Sequence, residues 1–223
     1  MRKKELLVLV LVFFTIAGVF ALPGLKFSAG AGGYFTSDFG GGVELLETGE
    51  IWFIKHPYSG GGAFAFFDAT FEELSLGIFG GSGTFKGEEG NTWQSDTSVM
   101  GLDIGLLGKY PFAINDELTV FPLLGITYRA MLSVKQKNGG YYRNPNGNKA
   151  DPGDFSALWF KLGGRVDYYF TDANYLRGDV LYGWRVANRY EKNWLDDIKR
   201  ADFDGKTLLG HGLEIKFAIG HRF

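Results

Sequence analysis

Eleven ionisable residues of this 223-residue chain recur at alternate positions inside short apolar runs: Asp103, Lys109, Arg129, Lys161, Arg165, Asp167, Arg177, Asp179, Arg185, Glu214 and Lys216. Their immediate neighbours include Leu102, Ile104, Tyr128, Phe160, Leu162, Val166, Leu176, Val180, Trp184, Ile215 and Phe217. In a strand, successive side chains point to opposite faces, so these charges share the face that the apolar residues leave. Asp68, Lys26, Lys135 and Arg222 fall on the same face by the same alternation. If that face is enclosed, acids and bases on it must pair, because an unpaired buried charge costs several kcal/mol. The chemistry this set points to is mutual ion pairing that fills an interior. An ion path lined by the same residues is the sharper alternative.

Other chemistry has thin material. The three histidines are His56, His211 and His221. His211 lies where a barrel-type lipid deacylase would place its histidine, but Gly212 and Leu213 follow it and no serine adjoins it. The expectation is a non-enzymatic protein with His211 as an interfacial side chain. The run Asn144 to Asn148 with Asp151 and Asp154 fails as a calcium loop, since Lys149 and Phe155 stand at the sixth and twelfth positions. Asn-Gly and Asp-Pro-Gly make it a turn-rich loop instead. The glycine clusters at Gly30 to Gly33 and Gly80 to Gly83 precede no helix, so phosphate binding is not expected. No cofactor or metal motif is found.

The elements that must position the charges are eight alternating runs. They are Leu25 to Thr36, Gly61 to Thr70, Leu74 to Phe85, Ser98 to Tyr110, Thr119 to Lys135, Leu158 to Phe170, Tyr175 to Val186 and Leu209 to Phe223. In the fifth, Val120, Pro122, Leu124, Ile126, Tyr128, Ala130, Leu132 and Val134 form one apolar face, opposite Thr127, Arg129, Ser133 and Lys135. The second is the least regular; Asp68 sets its even positions, Phe64 and Phe66 among them, inward. The connections alternate in length. Phe71 to Glu73, Pro111 to Leu118 and Thr171 to Asn174 are short, whereas Ser37 to Gly60, Lys86 to Thr97, Gln136 to Phe155 and Ala187 to Lys206 are long. Short turns at one end and long loops at the other are the habit of transmembrane barrels. A soluble ligand-binding barrel would turn its apolar side chains inward and would not collect Asp103, Arg129 and Arg165 there. Tyr110, Phe112, Tyr168, Tyr169, Phe170, Tyr175 and Phe223 gather near the short turns, as an interfacial aromatic girdle would.

Composition agrees. Glycine supplies 34 residues, against a usual share of about 7%. On an inward face it sheds bulk where eight strands converge and lets them bend. Arg2, Lys3 and Lys4, the apolar stretch Leu6 to Val19 and the small Ala21 read as a secretory leader over residues 1–21. The expected mature domain is 22–223. Its loss of three basic residues and one acidic residue leaves 20 against 24, net −4, so nucleic acid is not an expected partner. With no cysteine in an exported chain, stability must come from the sheet.

Two loops carry further signals. Ile51, Trp52, Phe53 and Ile54 form an apolar run, either strand extension or a patch that meets a ligand or partner. Tyr190, Trp194 and Ile198 recur at helical spacing within a loop rich in both charges, which predicts a short surface helix.

From Leu25 to Phe223 the chain resembles the small eight-stranded outer-membrane barrels of the OmpA-transmembrane, OmpX and OmpW-like group. The segment SAGAGGYF, the glycine-rich strands and the terminal GHRF also resemble barrels of spirochaetal outer membranes. The resemblance implies an all-β, closed, eight-stranded antiparallel transmembrane barrel with short periplasmic turns and four long extracellular loops. It implies export through the periplasm to the bacterial outer membrane, and recognition of the C-terminal strand by the barrel-assembly machinery through Phe217, Ile219 and Phe223. The partners expected are outer-membrane lipid and surface or host ligands of the loops, for a monomer that contributes to envelope structure. The alternative function is an OmpW-like narrow channel for small hydrophobic solutes, motivated by Ile51 to Ile54 and the inward Phe64 and Phe66.

Overall fold

Alternation over ten or more residues makes each run a strand with one apolar and one polar face, and eight such strands close on themselves. The structure, a computed structural model, describes residues 26–45, 57–89, 91–143, 146–201 and 204–223. The strands are β1 (Ser28–Asp38), β2 (Gly42–Leu45), β3 (Tyr58–Asp68), β4 (Glu72–Glu89), β5 (Asn91–Lys109), β6 (Phe112–Ala113), β7 (Leu118–Gln136), β8 (Ala157–Tyr169), β9 (Asn174–Arg185), β10 (Gly205–Leu208) and β11 (Gly210–Arg222). Strands β1, β3, β4, β5, β7, β8, β9 and β11 form the wall. Each pairs antiparallel with its sequence neighbours, and β1 pairs with β11 to close the ring. Within the ring every wall strand is paired on both sides, so the ring itself has no open edge, and only the β4–β5 hairpin extends beyond it among the described wall strands. Among the described residues no helix is long and apolar enough to cross a membrane.

Inward and outward faces follow the alternation. Leu76, Leu124, Phe217 and Ile219 point outward with 58–68% of their surface exposed, and Phe35, Ile78, Ile104, Phe160, Leu162 and Val180 lie in the same belt. Near the short turns the belt ends in rings. Phe71 stacks on Tyr110 at 6.1 Å, Tyr110 meets Phe112 at 5.1 Å, and Tyr168, Phe170 and Phe223 are exposed nearby. Tyr175 does not belong to this girdle. Its odd position in β9 turns it into the barrel, where it is 1% exposed and packs against the partly buried Tyr169.

Two expectations about the wall fail. The fifth wall strand, β7, does not keep one face outward to Val134. Its register against β5 shifts between Met100 and Gly101, which pair with Ser133 and Met131, so Leu132 is an extra residue. A bulge of one residue exchanges the faces beyond it. Val134 therefore packs inward, while Lys135 is exposed outside. The loop expected at Lys86 to Thr97 is instead the tip of a long hairpin, with β4 and β5 paired as far as Glu89 and Asn91.

Inward glycines make the narrow ring feasible. A Cβ on Gly32 would lie 1.9 Å from the carbonyl oxygen of Phe217, and one on Gly62 the same distance from that of Ile78. The outward Gly33 has its nearest atom at 3.6 Å.

At the loop end, Gly40 and Gly41, with φ of +146° and +128°, carry the chain from β1 into β2. Strand β2 pairs with β10, tying the first long loop to the fourth. The helix expected from Tyr190, Trp194 and Ile198 forms as α1 (Arg189–Arg200). Asn188 caps it: its side chain accepts from the Glu191 amide, and the Glu191 carboxylate accepts from the Asn188 amide at 3.0 Å. Ile198 packs on Val43, and the ring of Tyr190 stacks on Phe155 at 4.4 Å. Thus the helix lies across the barrel mouth. Burial raises the hydroxyls of Tyr142 and Tyr190 in this cap above the usual tyrosine range.

Candidate functional site

The inward charges assemble into three tiers. At the turn end, Arg177 on β9 meets three carboxylates: Glu73 at 2.8 Å, Asp167 at 3.1 Å, and Asp68. Arg165 on β8 holds Asp179 through Nε at 2.8 Å and through a second nitrogen at 3.0 Å, and also contacts Glu73. Lys109 lies 2.8 Å from Asp68. Tyr175 donates to Ser28 at 3.0 Å, and Phe66 lies 3.8 Å beneath the Arg177 guanidinium. Four carboxylates thus face three cations, all of them buried or nearly so.

In the middle tier, Arg129 binds both oxygens of Asp103 at 2.7 Å and donates to the Tyr58 hydroxyl at 2.8 Å. Glu214 receives Lys161 at 2.8 Å and Lys216 at 3.1 Å, with Arg129 at 3.7 Å. Tyr34 donates to Asp103 at 3.1 Å. Here two carboxylates face three cations, so the excess of one tier offsets that of the other. Low dielectric makes such compensation obligatory rather than decorative.

The third tier is at the mouth. Arg185 lies 3.3 Å from Asp38 on β1 and 2.8 Å from Glu191 on α1, and it donates to the Gly40 carbonyl at 3.1 Å. One guanidinium therefore joins a wall strand, the first loop and the helix that covers the opening. Glu191 has a double duty, since the same carboxylate closes the capping box.

All eleven charges singled out by alternation lie in these tiers. Arg185 stands apart from the other ten, and Lys26 and Lys135, placed inward by the same pattern, are exposed. The residues sequence reasoning missed are Glu73, Asp38, Glu191, Tyr34 and Tyr58. Glu73 falls in the short connection Phe71 to Glu73 by periodicity, although the outward Leu74 and Leu76 put it inward by one more step of alternation. Asp38 needs two further steps of β1. For Glu191 the Asn188-x-x-Glu191 spacing announces a helix start, but not the long-range contact with Arg185.

The interior has little free space. Two cavities against the middle tier measure about 10 Å³ each; one is lined by Tyr58, Arg129, Trp159 and Arg185, the other by Thr36, Lys161, Gly212 and Glu214. Each holds at most about one water. An apolar cluster of Leu107, Phe121, Leu123 and Leu181 fills another part of the bore. Phe64 and Phe66 do point inward, and cations cover both: Lys216 over Phe64 at 5.0 Å and Arg177 over Phe66. The candidate patch Ile51, Trp52, Phe53 and Ile54, like residues 1–21, lies outside the described residues. Phe217, Ile219 and Phe223 are exposed on the outer face of the last strand and its end. His211 is also outward, beside Phe39 at 5.6 Å and Tyr182 at 6.0 Å.

No family profile and no curated protein matches the chain. Among solved structures it is similar to the outer membrane protein OprG from Pseudomonas aeruginosa, at 11% identity and TM-score 0.48, covering 89% of this chain and 95% of that one. It is also similar to Ail, the attachment invasion locus protein of Yersinia pestis, in complex with the heparin analogue sucrose octasulfate (12% identity, TM-score 0.38, 89% and 99% covered). A third is the outer membrane protease OmpT from Escherichia coli, at 8% identity and TM-score 0.38, with 89% and 95% covered. None of the three is spirochaetal, and at these identities no site residue carries over.

Proposed function

We propose that this protein is a non-enzymatic, integral barrel of the bacterial outer membrane, exported behind a cleaved leader and closed along its bore by paired charges. The observation that carries the reading is the inversion of a soluble protein's pattern: a continuous apolar belt outside, with Arg165, Arg177, Asp179 and Glu214 buried inside. Exposed apolar area on this scale needs a partner, and a ring of strands with no free edge suits hydrocarbon. Eight strands leave a bore that side chains fill; the turn-end and middle tiers occupy it, and the third tier and α1 cover its mouth. The short turns would face the periplasm and the long loops the outside. On this reading the barrel is a rigid pedestal for loops that contribute to envelope structure and surface interaction. Its last strand, with Phe217, Ile219 and Phe223, would engage the assembly machinery, and the protein would work as a monomer. Heat-modifiable migration of the chain refolded in vesicles supports this; a detergent-independent, water-soluble monomer overturns it.

A narrow channel for small hydrophobic solutes is the second reading, favoured by the inward Phe64 and Phe66. It requires Lys216 and Arg177 to leave their rings. Solute uptake into vesicles carrying the protein separates the two: uptake above that of protein-free vesicles supports the channel.

A further inference from the structure

The bulge in β7 has a chemical consequence at the outer rim. Because the faces exchange at Leu132, Lys135 points out of the barrel instead of into it. The outward residues below it, Tyr128 and Leu132, are 47% and 48% exposed and belong to the apolar belt. Three residues of strand at about 3.3 Å each, tilted by about 35–45°, put Lys135 about 7–8 Å above Leu132. The polar headgroup layer adds about 5–8 Å on each side of the hydrocarbon, so a lysine side chain at this level reaches it.

The chain after β7 folds back to make a cleft of about 440 Å³ here, lined by Leu132, Lys135, Tyr141, Lys149 and Asp151 among others. The fold-back is held by the bridge between Arg143 and Lys149, and by the Ala150 amide donating to the Tyr142 carbonyl at 2.8 Å. Arg143 and Lys149 both lie by the Tyr141 ring, at 4.9 Å and 5.8 Å. Arg143 donates to the Tyr141 hydroxyl and to the Gly147 carbonyl. None of the three cations has a carboxylate within 4 Å among the described residues; Lys137, nearby, has only Asp96 at 3.9 Å. Elsewhere on the wall strands, the outward rim positions among the described residues include Ser37, Phe39, Ser59, Ser82, Thr84, Asp96, Ser98 and His211, and no lysine or arginine. Among the described residues of the wall strands, the outward basic group at this rim is therefore on β7, in contrast to the bore, where each cation has an acid.

We infer that this cleft is a binding site for the phosphate of a lipid headgroup in the loop-side leaflet, held by Lys135 and Lys149, with Arg143 flanking it behind the Tyr141 ring and Leu132 against the start of the acyl chains. Tyr141 keeps the cations spread as a platform instead of extended into water. The site rests on the membrane-spanning reading and adds a lipid class to it: phosphate-bearing headgroups without a compensating cation. A basic residue near an anionic leaflet contributes enough for a severalfold preference.

The test uses the full chain refolded into phosphatidylcholine vesicles, with insertion first established by heat-modifiable migration, so that failure to insert counts against the membrane reading and not against the cleft. A trace of spin-labelled phosphatidic acid or spin-labelled phosphatidylcholine is then added, and the motion-restricted fraction of each is read by electron spin resonance. The expected result is a preference of about fivefold for phosphatidic acid, falling to about one in Lys135→Gln/Lys149→Gln. Both lysines are exposed, so the variant should insert as the parent does, which the same gel checks. Equal restriction of the two lipids by the parent overturns the proposal, as does a preference that survives in the variant. Loss of the preference on adding inorganic phosphate would assign the cleft to free phosphate and overturn the lipid site.

Discussion

Arg177→Met isolates the turn-end tier. The guanidinium touches Asp68, Glu73 and Asp167 and covers Phe66. After its removal Glu73 and Asp179 still have Arg165, and Asp68 still has Lys109 at 2.8 Å and Arg165 at 3.7 Å. Asp167 loses its only cation within 4 Å among the described residues. One carboxylate is thus stranded in the bore, and leaving one partner of a buried pair costs about 3–5 kcal/mol. Methionine keeps most of the length, so the loss is electrostatic more than a cavity. Adding Asp167→Asn removes the stranded charge, and the double variant should be more stable than Arg177→Met alone by about 1–3 kcal/mol. Urea unfolding of the full chain in vesicles, followed by tryptophan fluorescence, measures all three. A cost below about 1 kcal/mol for Arg177→Met, typical of an exposed ion pair, would refute the reasoning. So would strict additivity of the two substitutions.

Three further perturbations separate parts of the account. Gly32→Ala places a Cβ 1.9 Å from a carbonyl oxygen and should abolish refolding, whereas Gly33→Ala, with 3.6 Å to spare, should refold with stability within about 0.5 kcal/mol of the parent; equal yields would contradict the close strand approach. Phe217→Lys, on the most exposed part of the belt, should cost about 2–4 kcal/mol in vesicles if that face meets hydrocarbon; a neutral result would mean that it meets water. Glu191→Ala removes both the helix cap and the acid facing Arg185, so trypsin should cut within α1 faster while the barrel's heat-modifiable band is unchanged. Unaltered cleavage would show that Glu191 does not hold the cap down.

Much of the wall was legible because burial on one side forces a two-residue period, and a period is local information. Asp103 and Arg129 could be set on one face from their neighbours alone. Their bidentate pairing could not, since it depends on β5 lying beside β7 in one register. The faces failed to follow the pattern at Lys135, because the bulge at Leu132 adds one residue without changing the residue types around it. Tyr175 misled for a different reason. A tyrosine beside a turn suits an interfacial girdle and a hydrogen-bonded interior equally, and only the register of β9 decides. The mouth was the hardest region. Capping chemistry at Asn188 and Glu191 is written locally, but the contacts of Arg185 with Glu191 and Asp38 join three separate segments.

The central claim is that a membrane-inserted ring of eight strands is sealed by its own paired charges, and conductance tests it most directly. Vesicles carrying the heat-modifiable, full-length protein are fused to a planar bilayer and held at both polarities. The account predicts no sustained unitary steps above those of protein-free vesicles. Reproducible steps with a fixed conductance would contradict it, because ions could pass only if the tiers around Arg129, Arg165 and Arg177 left a continuous path.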